Sequence, residues 1–404
     1  MKFTVQDVKD YIEQEDVSFI RLAFCDVFGK QKNVSIMATE LDRAFESGIA
    51  IDASAVEGFG SEEKSDLFLF PDASTLSVLP WRPSQGKVVR MFCDIKYPNG
   101  EAFEMDGRHL LKEAVKKAAS KGIRVSFGAE HEFYLFKTDE DGYSTGVPHD
   151  RASYMDIAPE DRGVNVRREI CLALSEMGIF PESSHHEEGP GQHEIDFKYS
   201  DALEAADNSV TFKSVVSAIA EQHGLWADFS PKPLEKSSGN GLHINMAPHS
   251  DDGTDYLEQF MAGVLAHIAE ITAFLNPTPA SYERLGEYKA PKYVTWSREN
   301  RSQLIRIPAA TGEYRRMELR SPDSEANPYI AYSLLIYAGL DGIENNMNPP
   351  APTDLNLYEA SEEELKGIAM LPLNFTKAME NAKSSDFVKA ILPQRVIETF
   401  NRRS

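Results

Sequence analysis

The chain has 404 residues, more than one compact core of ordinary size accommodates, so we expect two domains or one large catalytic domain with an appendage. Its 42 lysines and arginines against 64 aspartates and glutamates leave a formal net charge of −22, and so acidic a surface repels nucleic-acid phosphates and anionic lipids. Hydrophobic residues at 42% and charged residues at 26% are typical of a folded globular protein and exclude a disordered one.

The sequence indicates neither export nor membrane anchoring. The first residues form no apolar leader, and the longest uncharged run, 326–340, has 15 residues, short of the about 20 that a spanning helix needs. Cys25, Cys93 and Cys171 have the spacing of neither a disulfide framework nor a zinc site. We therefore expect a cytoplasmic protein with buried, reduced thiols and with no nucleic-acid or membrane partner.

The first hundred residues predict a small unit that combines helices and strands. In chain order the pattern predicts a helix over 4–13, β-runs at 17–29 and 30–36 joined by a glycine turn, a helix near 39–47 and a strand over 87–95. The stretch 97–107 is rich in turn residues. We therefore expect two domains, at 1–100 and 101–404.

The rest of the chain alternates helical and β-like segments. Helical patterns occur near 108–121, 160–178, 202–223, 255–275 and 328–345, and β-like runs at 123–137, 192–199, 226–230, 241–247 and 314–320. This alternation predicts a mixed body of helices built around a sheet.

Acidic residues recur at spacings that suit a metal site. Glu130 and Glu132 lie two apart in a β-like run, which aims both carboxylates at one face of a sheet. Glu187 and Glu194 flank a Gly-Pro-Gly turn, and two further candidates on later β-like runs are His243 and Glu318.

The convergence of these acids requires a cation. Two carboxylates about 4 Å apart repel each other by about 4 kcal/mol at an effective dielectric constant of about 20. Each acid taken alone is typical of a solvated surface residue, so it is the joint pattern that predicts divalent metal. Oxygen ligands with one imidazole favour Mg²⁺ or Mn²⁺ over zinc or copper.

A strip of arginines follows in an otherwise acidic chain. It holds Arg298, Arg301, Arg306, Arg315, Arg316 and Arg320. Guanidinium groups beside a carboxylate–metal cluster suit phosphoryl transfer, because they bind phosphate bidentately and stabilise the charge on the transferring group. The alternative is an ion-paired surface strand. Because the sequence contains no Walker-type loop, a nucleotide would be held by the metals and arginines.

These residues resemble class I glutamine synthetase of the short form, in collinear blocks along nearly the whole chain. The blocks are IDASAVEGF (51–59), EHEF (130–133), SHHEEGPGQHEIDFKY (184–199), PKPL (231–234), TWS (295–297), NRSQLIRIP (300–308), RMELRSPD (316–323) and ANPY (326–329). The resemblance implies an α+β fold: an N-terminal β-grasp domain and a catalytic half-barrel, a mostly antiparallel sheet with packed helices.

The resemblance also implies a role for each matching position. Two or more Mg²⁺ or Mn²⁺ ions would be held by Glu132, Glu187 and Glu194 and by Glu130, His243 and Glu318. Contacts to ATP would come from Glu182, Phe197, Asn245, Arg306 and Arg316, and contacts to glutamate from Gly239, Arg284 and Arg320. Arg301 would lie over the transferring phosphate, and Asp52, from the adjoining subunit, would line the ammonium pocket with Tyr154.

The implied reaction transfers the ATP γ-phosphoryl group to the glutamate γ-carboxylate, after which an amine displaces phosphate to give an amide. The family's active sites lie between neighbouring subunits, so we expect a homo-oligomer with hexameric rings, possibly paired into a dodecamer. The usual acidic C-terminal segment that joins two rings has no counterpart after LPQRVIETFNRRS. The resemblance therefore implies hexameric rings but leaves open whether two rings stack.

The amine site departs from the family pattern. The family's flap typically reads Arg-Leu-Val-Pro-Gly-Tyr-Glu-Ala-Pro, whereas 284–291 reads RLGEYKAP, with Lys289 in place of the flap glutamate. A lysine there would repel ammonium, unless Glu287 takes the vacant place or Lys289 pairs with Asp52. Smaller departures are Ser61, Ser238, Ala247 and Glu313.

Three hypotheses follow. The first is a glutamate–ammonia ligase, the second a ligase that joins glutamate to an organic amine or polyamine, and the third a catalytically silent scaffold. A scaffold has no physical need for mutually repelling acids, which favours the two enzymes.

Overall fold

The structure, a computed structural model, describes residues 3–60, 63, 65–81, 86–310, 312 and 315–403, so Ser61 and Glu313 lie outside the described residues. The helices are α1 (Val5–Gln14), α2 (Leu41–Ser47), α3 (Gly107–Ala119), α4 (Val164–Glu176), α5 (Ala202–Gln222), α6 (Leu257–Leu275), α7 (Pro279–Arg284), α8 (Pro328–Glu344), α9 (Glu362–Leu365), α10 (Phe375–Ser384), α11 (Asp386–Ile391) and α12 (Gln394–Asn401).

The strands fall into an N-terminal and a catalytic group. The first group is β1 (Val17–Cys25), β2 (Gln31–Met37), β3 (Ile49–Asp52), β4 (Asp66–Pro71), β5 (Ser77–Val78) and β6 (Lys87–Lys96). The second is β7 (Ile123–Thr138), β8 (Ser144–Pro148), β9 (Pro181–His186), β10 (Gln192–Phe197), β11 (Ser200–Asp201), β12 (Leu225–Asp228), β13 (Leu242–Ser250), β14 (Trp296–Arg298), β15 (Ile305–Ile307) and β16 (Met317–Leu319).

The N-terminal sheet has the strand order β2-β1-β6-β4-β3, with β5 paired to β6. Strands β1 and β2 form the predicted antiparallel hairpin, and β1 runs parallel to β6. Asp26 shapes the hairpin turn, since its carboxylate accepts the backbone N–H groups of Phe28 and Lys30. Gly29 follows with φ of 81°, where a Cβ atom would lie 2.8 Å from the Asn327 Cα, so glycine is required on both counts. This is the expected β-grasp architecture.

The catalytic sheet has the order β14-β15-β16-β13-β7-β10-β9 and curls around its long central strand. Strand β7 also pairs with β8, β11 and β12. The pairings are antiparallel except for β14 with β15. Helices α5, α6 and α8 supply much of the buried core. Helices α6 and α8 approach closely at Gly263, where a Cβ atom would lie 2.0 Å from the Ala338 carbonyl oxygen.

Buried ion pairs connect the two sheets through the start of α3. The Arg108 guanidinium, 4% exposed, lies 2.9 Å from Asp72, 3.0 Å from Asp94 and 3.0 Å from Asp207. Asp72 and Asp94 belong to the N-terminal region and Asp207 to α5, so one side chain links three segments. Removing one partner of such a set would leave buried charge uncompensated.

The predicted helices and strands are confirmed in their places, with shifts of a few residues at most ends. The 160–178 helix starts later, at Val164, and the 314–320 run is a strand only over Met317–Leu319. The sequence patterns do not predict the short strands β3, β4, β5, β8, β9, β11, β14 and β15, α7 or the helices after α8. Among the described residues no helix has the length and apolarity to cross a membrane.

Candidate active site

Strand register brings the predicted acids together. Glu130 lies opposite His243 on β13, and Glu132 lies opposite Glu194 on β10. Directly opposed residues of antiparallel strands share a face of the sheet. Because Glu130 and Glu132 are also two apart on β7, the four side chains occupy one face.

Neighbouring strands extend this face in both directions. Glu194 is opposite His185 on β9, and Asp196 is opposite Glu130. On the other side Asn245 pairs across to Glu318 on β16. The result is an acidic wall, by which we mean Glu130, Glu132, Glu187, Glu194, Asp196 and the imidazoles of His185 and His243.

The side chains of the acidic wall are close enough to share cations. His243 Nδ1 lies 3.2 Å from Glu130 Oε2, and its Nε2 lies 3.8 Å from Glu132 Oε1. Two sets have potential ligand atoms within 4.8 Å of one another: Glu130, Glu194 and His243, and His185, Glu187 and Glu194. Carboxylate oxygens with one imidazole in each set fit Mg²⁺ or Mn²⁺.

Electrostatics supports this fit. Burial, and then the charges of Asp196 and Glu132, raise the pKa of Glu194 well above its ordinary value. Burial and the neighbouring Glu132 raise the pKa of Glu187 to about 8. Burial and Glu130 raise the pKa of Asp196 to about 7. The wall therefore takes up protons when it holds no cation, and a divalent ion would relieve the same repulsion.

Glu318 is held differently from the other predicted ligands. Its carboxylate lies 2.6 Å from Arg306 Nη1 and also contacts Arg320. Burial alone would raise its pKa, but Arg320, His243 and Arg306 outweigh burial and lower it to about 2. Glu318 lies 3.8 Å from His243 Nδ1, so it joins the acidic wall to the arginines.

The acidic wall and the arginines line one cavity of about 400 Å³. Of the predicted residues it is lined by Glu130, Glu132, Tyr154, Glu187, Glu194, Gly239, His243, Arg284, Lys289, Arg301, Arg306, Arg316 and Arg320. Gly239 has no room for a side chain, because a Cβ atom would lie 2.3 Å from the Pro231 carbonyl oxygen. The cavity thus has anionic and cationic sides facing each other.

Of the predicted nucleotide contacts, Arg306 and Arg316 line the cavity, whereas Asn245, Phe197 and Glu182 do not. Asn245 lies just behind the cavity, where it donates to Glu130 at 2.7 Å and accepts from Arg316 Nε at 2.8 Å. Phe197 has its ring in the core beside His131 and Phe212, which leaves only its backbone for ligands. Glu182 is exposed on β9 and is not among the lining residues.

Asp52 is also apart from the cavity in this chain. It ends β3 in the N-terminal sheet, and its carboxylate accepts from the Ser54 hydroxyl at 2.6 Å and the Ser54 N–H at 3.0 Å. These hydrogen bonds lower its pKa. Asp52 could therefore act only at the cavity of another copy of the chain.

The loop 284–291, which we call the rim loop, places Lys289 at the cavity. The Lys289 ammonium contacts the Glu188 carboxylate and lies 5.9 Å from the centre of the Tyr154 ring. Glu287 faces Lys232 instead, at 3.5 Å, so neither of the two expected compensations, Glu287 in the vacant place or a Lys289–Asp52 pair, forms within the chain. Lys289 has φ of 68°, a left-handed conformation.

Sequence reasoning missed three residues of the site. Asp196 follows Glu194 by two on the same strand, so the alternation that found Glu130 and Glu132 would have found it. The sequence assigns no role to His185, whose position opposite Glu194 follows only once β9 is known. Glu188 carried no signal, because its role depends on where the rim loop lies.

Clustered carboxylates facing arginines in one cavity define a metal-dependent enzyme that transfers a phosphoryl group. The model of the glutamine synthetase beta-Grasp domain matches residues 16–98, and the model of the glutamine synthetase catalytic domain matches 104–403. The chain therefore belongs to the glutamine synthetase family, as the sequence motifs indicated.

Curated relatives match over almost the whole chain. The glutamine synthetases of Clostridium saccharobutylicum and Methanosarcina mazei are each 44% identical, over 98% of this chain and 93% and 92% of their own lengths. That of Staphylococcus aureus is 42% identical, over 98% of this chain and 93% of its own. These relatives support glutamate–ammonia ligation as the activity.

Solved structures agree on the fold. A GmaS complex with ADP has a TM-score of 0.89 at 29% identity, covering 98% of this chain and 94% of that one. Plasmodium falciparum glutamine synthetase has a TM-score of 0.86 at 23% identity, covering 100% and 96%. The chain is an ATP-dependent ligase of small-molecule substrates that uses divalent metal, which disfavours the silent scaffold.

Proposed function

We propose that this chain is an ATP-dependent glutamate–ammonia ligase that forms γ-glutamyl phosphate in the cavity between the acidic wall and the arginines. The observation that carries the proposal is that two overlapping ligand sets, Glu130/Glu194/His243 and His185/Glu187/Glu194, face four cavity-lining arginines of the predicted strip and Arg284. Phosphoryl transfer between two anions needs both features, because each reactant repels the other until its charge is neutralised.

Following the family assignment, Glu187 and Glu194 of one set would hold a metal together with Glu132. Glu130 and His243 of the other set would hold a second metal together with Glu318. When bound, the ions would neutralise the phosphate oxygens of ATP and the carboxylate that receives the phosphoryl group. Apart from Glu187, which follows the end of β9, the wall residues that would hold the ions are fixed on paired strands. Either Mg²⁺ or Mn²⁺ suits the oxygen-rich ligands.

The arginines take the remaining anionic groups. Arg284 and Arg320 would bind glutamate beside the Gly239 backbone, while Arg306 and Arg316, with Asn245, bind the nucleotide. Backbone at Phe197 and the exposed Glu182 would complete the nucleotide contacts. Arg301, which is exposed at the cavity, would stabilise negative charge on the phosphoryl group during its transfer.

The reaction then runs in two displacements. A γ-carboxylate oxygen of glutamate attacks the γ-phosphorus of ATP, and the bond to ADP breaks. The neutral amine attacks the acyl carbon, and phosphate leaves with the C–O electron pair and takes the excess proton of the newly attached nitrogen. Ammonium itself has no lone pair, so it must first lose one proton to a carboxylate. Asp52 of a neighbouring copy would take that proton, with Tyr154 lining the same pocket.

A shared site of this kind implies a homo-oligomer, which we propose to be a hexameric ring or two stacked rings. We further propose that the protein is cytoplasmic and that its domains are 1–100 and 101–404. Co-expressing inactive Asp52→Asn and Arg301→Ala chains tests the shared site, because mixed rings contain some intact sites and should regain up to about a quarter of the activity. A fully active monomer in light scattering would contradict the shared site.

An organic amine is a second candidate acceptor, because Lys289 lines the cavity in place of the flap glutamate that accompanies ammonium in the family pattern. Measuring ADP release with ammonia against a panel of primary amines decides between the two. Ammonia as clearly the best acceptor supports the glutamine synthetase reaction, and a primary amine with a higher kcat/KM than ammonia supports the alternative.

A further inference from the structure

A buried polar cluster lies on the opposite face of the strands that carry the acidic wall. It contains Asp150, His186 and His193 with Arg167 and Asp161, all buried. His186 and His193 pair across β9 and β10, and each comes one residue before a proposed ligand, Glu187 or Glu194. Alternation along a strand therefore points the imidazoles away from the cavity.

Three members of this cluster have ligand atoms within 4.8 Å of one another, but their hydrogen bonds leave no set of free ligand atoms. The His193 Nδ1 lies 2.8 Å from Arg167 Nη1, which leaves that nitrogen as an acceptor of a guanidinium N–H. The two His186 nitrogens lie 2.9 Å from Asp150 Oδ1 and 2.6 Å from the Glu187 carbonyl oxygen. Both act as N–H donors, so neither offers a lone pair to a metal.

Asp150 is the centre of these contacts. Its Oδ1 accepts from His186 Nε2 at 2.9 Å, from the Gly191 N–H at 3.0 Å and from the Ala152 N–H at 3.3 Å. Its Oδ2 accepts from the Arg162 N–H at 3.0 Å. One buried carboxylate thus connects the turn after Glu187 with the loop that carries Tyr154.

We propose that Asp150 is a positioning residue that, through His186 and the Gly191 backbone, fixes the Glu187 turn so that the Glu187 carboxylate faces the metal. The inference rests on the proposed role of Glu187 as a metal ligand. Without the Asp150 carboxylate, His186 loses the acceptor that orients its ring toward the Glu187 carbonyl oxygen, and Gly191 loses its anchor. Outer partners of this kind typically change metal affinity by about 10–100-fold.

The test is a calorimetric titration of the full chain with Mn²⁺ alone, comparing Asp150→Asn, Glu187→Gln and the double variant with wild type. Asp26→Asn is the matched control, because Asp26 is also buried and accepts two backbone N–H groups far from the cavity. We expect Asp150→Asn to weaken Mn²⁺ binding about tenfold or more, Asp26→Asn to leave it unchanged, and the double variant to resemble Glu187→Gln.

Kinetics supply a second readout. Asp150→Asn should raise the Mn²⁺ concentration for half-maximal activity while kcat at saturating Mn²⁺ stays within about threefold of wild type. If Asp150→Asn is insoluble, His186→Gln removes the same contact from the other side and should shift affinity in the same direction.

Unchanged Mn²⁺ affinity in both Asp150→Asn and His186→Gln, alongside weakened binding in Glu187→Gln, would overturn the positioning role and leave the proposed function intact. Unchanged affinity in Glu187→Gln would instead remove Glu187 from the proposed ligand set, and the positioning role with it. Additive losses in the double variant would show that Asp150 acts elsewhere and would also overturn the proposal.

Discussion

The acidic wall and the rim loop face the same cavity but are held by different means. Most wall residues are fixed by the register of β7, β10 and β13, where Glu130, Glu132 and Glu194 each have a defined neighbour on the next strand. Glu187 is held by the turn that follows β9. The rim loop places Lys289 through a left-handed backbone and one exposed ion pair with Glu188. The wall is therefore rigid and electrostatically strained, whereas the rim is adjustable, and the two should respond differently to substitution.

The largest effect is expected in the wall. Glu194→Gln should lower kcat by at least about 100-fold. Loss of a direct metal ligand should cost more activity than the about 10–100-fold loss that is typical when a residue hydrogen-bonded to a ligand is removed. The same change should raise the Tm of the metal-free protein, because it removes a buried carboxylate that others repel. Steady-state ADP release and a thermal scan without metal measure the two effects.

Glu221→Gln is the control for that comparison, because Glu221 is exposed near the end of α5 and away from the cavity. It should change neither kcat nor Tm. A Glu194→Gln protein that is both inactive and less stable without metal would show that Glu194 supports the fold instead of opposing it.

The arginine side should show the next largest effect. Arg301→Lys keeps the charge but loses the planar guanidinium, so we expect kcat to fall about 30-fold with the glutamate KM nearly unchanged. Arg298→Lys is the control, because Arg298 is on the same strip but outside the cavity lining. A rise in KM at constant kcat would instead assign Arg301 to ground-state binding.

The contrast between wall and rim also explains what the sequence could predict. The shared face of Glu130 and Glu132 was predictable, because strand alternation follows from local pattern. Their pairing with Glu194 and His243 was not, because register joins distant segments. The position of the Lys289 ammonium was not, because it depends on a loop conformation and on Glu188, 101 residues away along the chain. Asp52 was identified by motif alone, and a single chain leaves it outside the cavity.

A substitution in the rim loop should have a smaller effect, and it should improve the use of ammonium instead of impairing activity. Lys289→Met removes a cation near the proposed amine pocket and leaves Glu188 unpaired, so the KM for ammonium should fall about fivefold, equivalent to about 1 kcal/mol. Added salt should reduce the difference, because the ion pair is exposed. Lys292→Met, directly after the rim loop and not lining the cavity, should leave this KM unchanged. A rise in the ammonium KM in Lys289→Met would show that Lys289 helps to bind the acceptor.

The smallest effect on catalysis is expected where a buried acid lies outside the cavity. Burial and the nearby Asp94 raise the pKa of Asp106, which caps α3, to about 7. Because this pKa exceeds that of the unfolded chain, ionisation destabilises the fold as pH rises from about 4 to about 7. Asp106→Asn keeps the cap on α3 but loses the oxygen that accepts the Ile95 N–H at 3.2 Å, so it should be less stable than wild type at pH 4. That deficit should shrink by about 1 kcal/mol at pH 8, with kcat unchanged. Urea unfolding at the two pH values measures this difference.

Mg²⁺ should not alter the pH-dependent difference in stability, because Asp106 lies outside the cavity, so that a bound metal would not neutralise its charge. The stability gain in Glu194→Gln should depend on Mg²⁺. A pH-dependent difference at Asp106 that vanished with Mg²⁺ would show that the two sites are coupled.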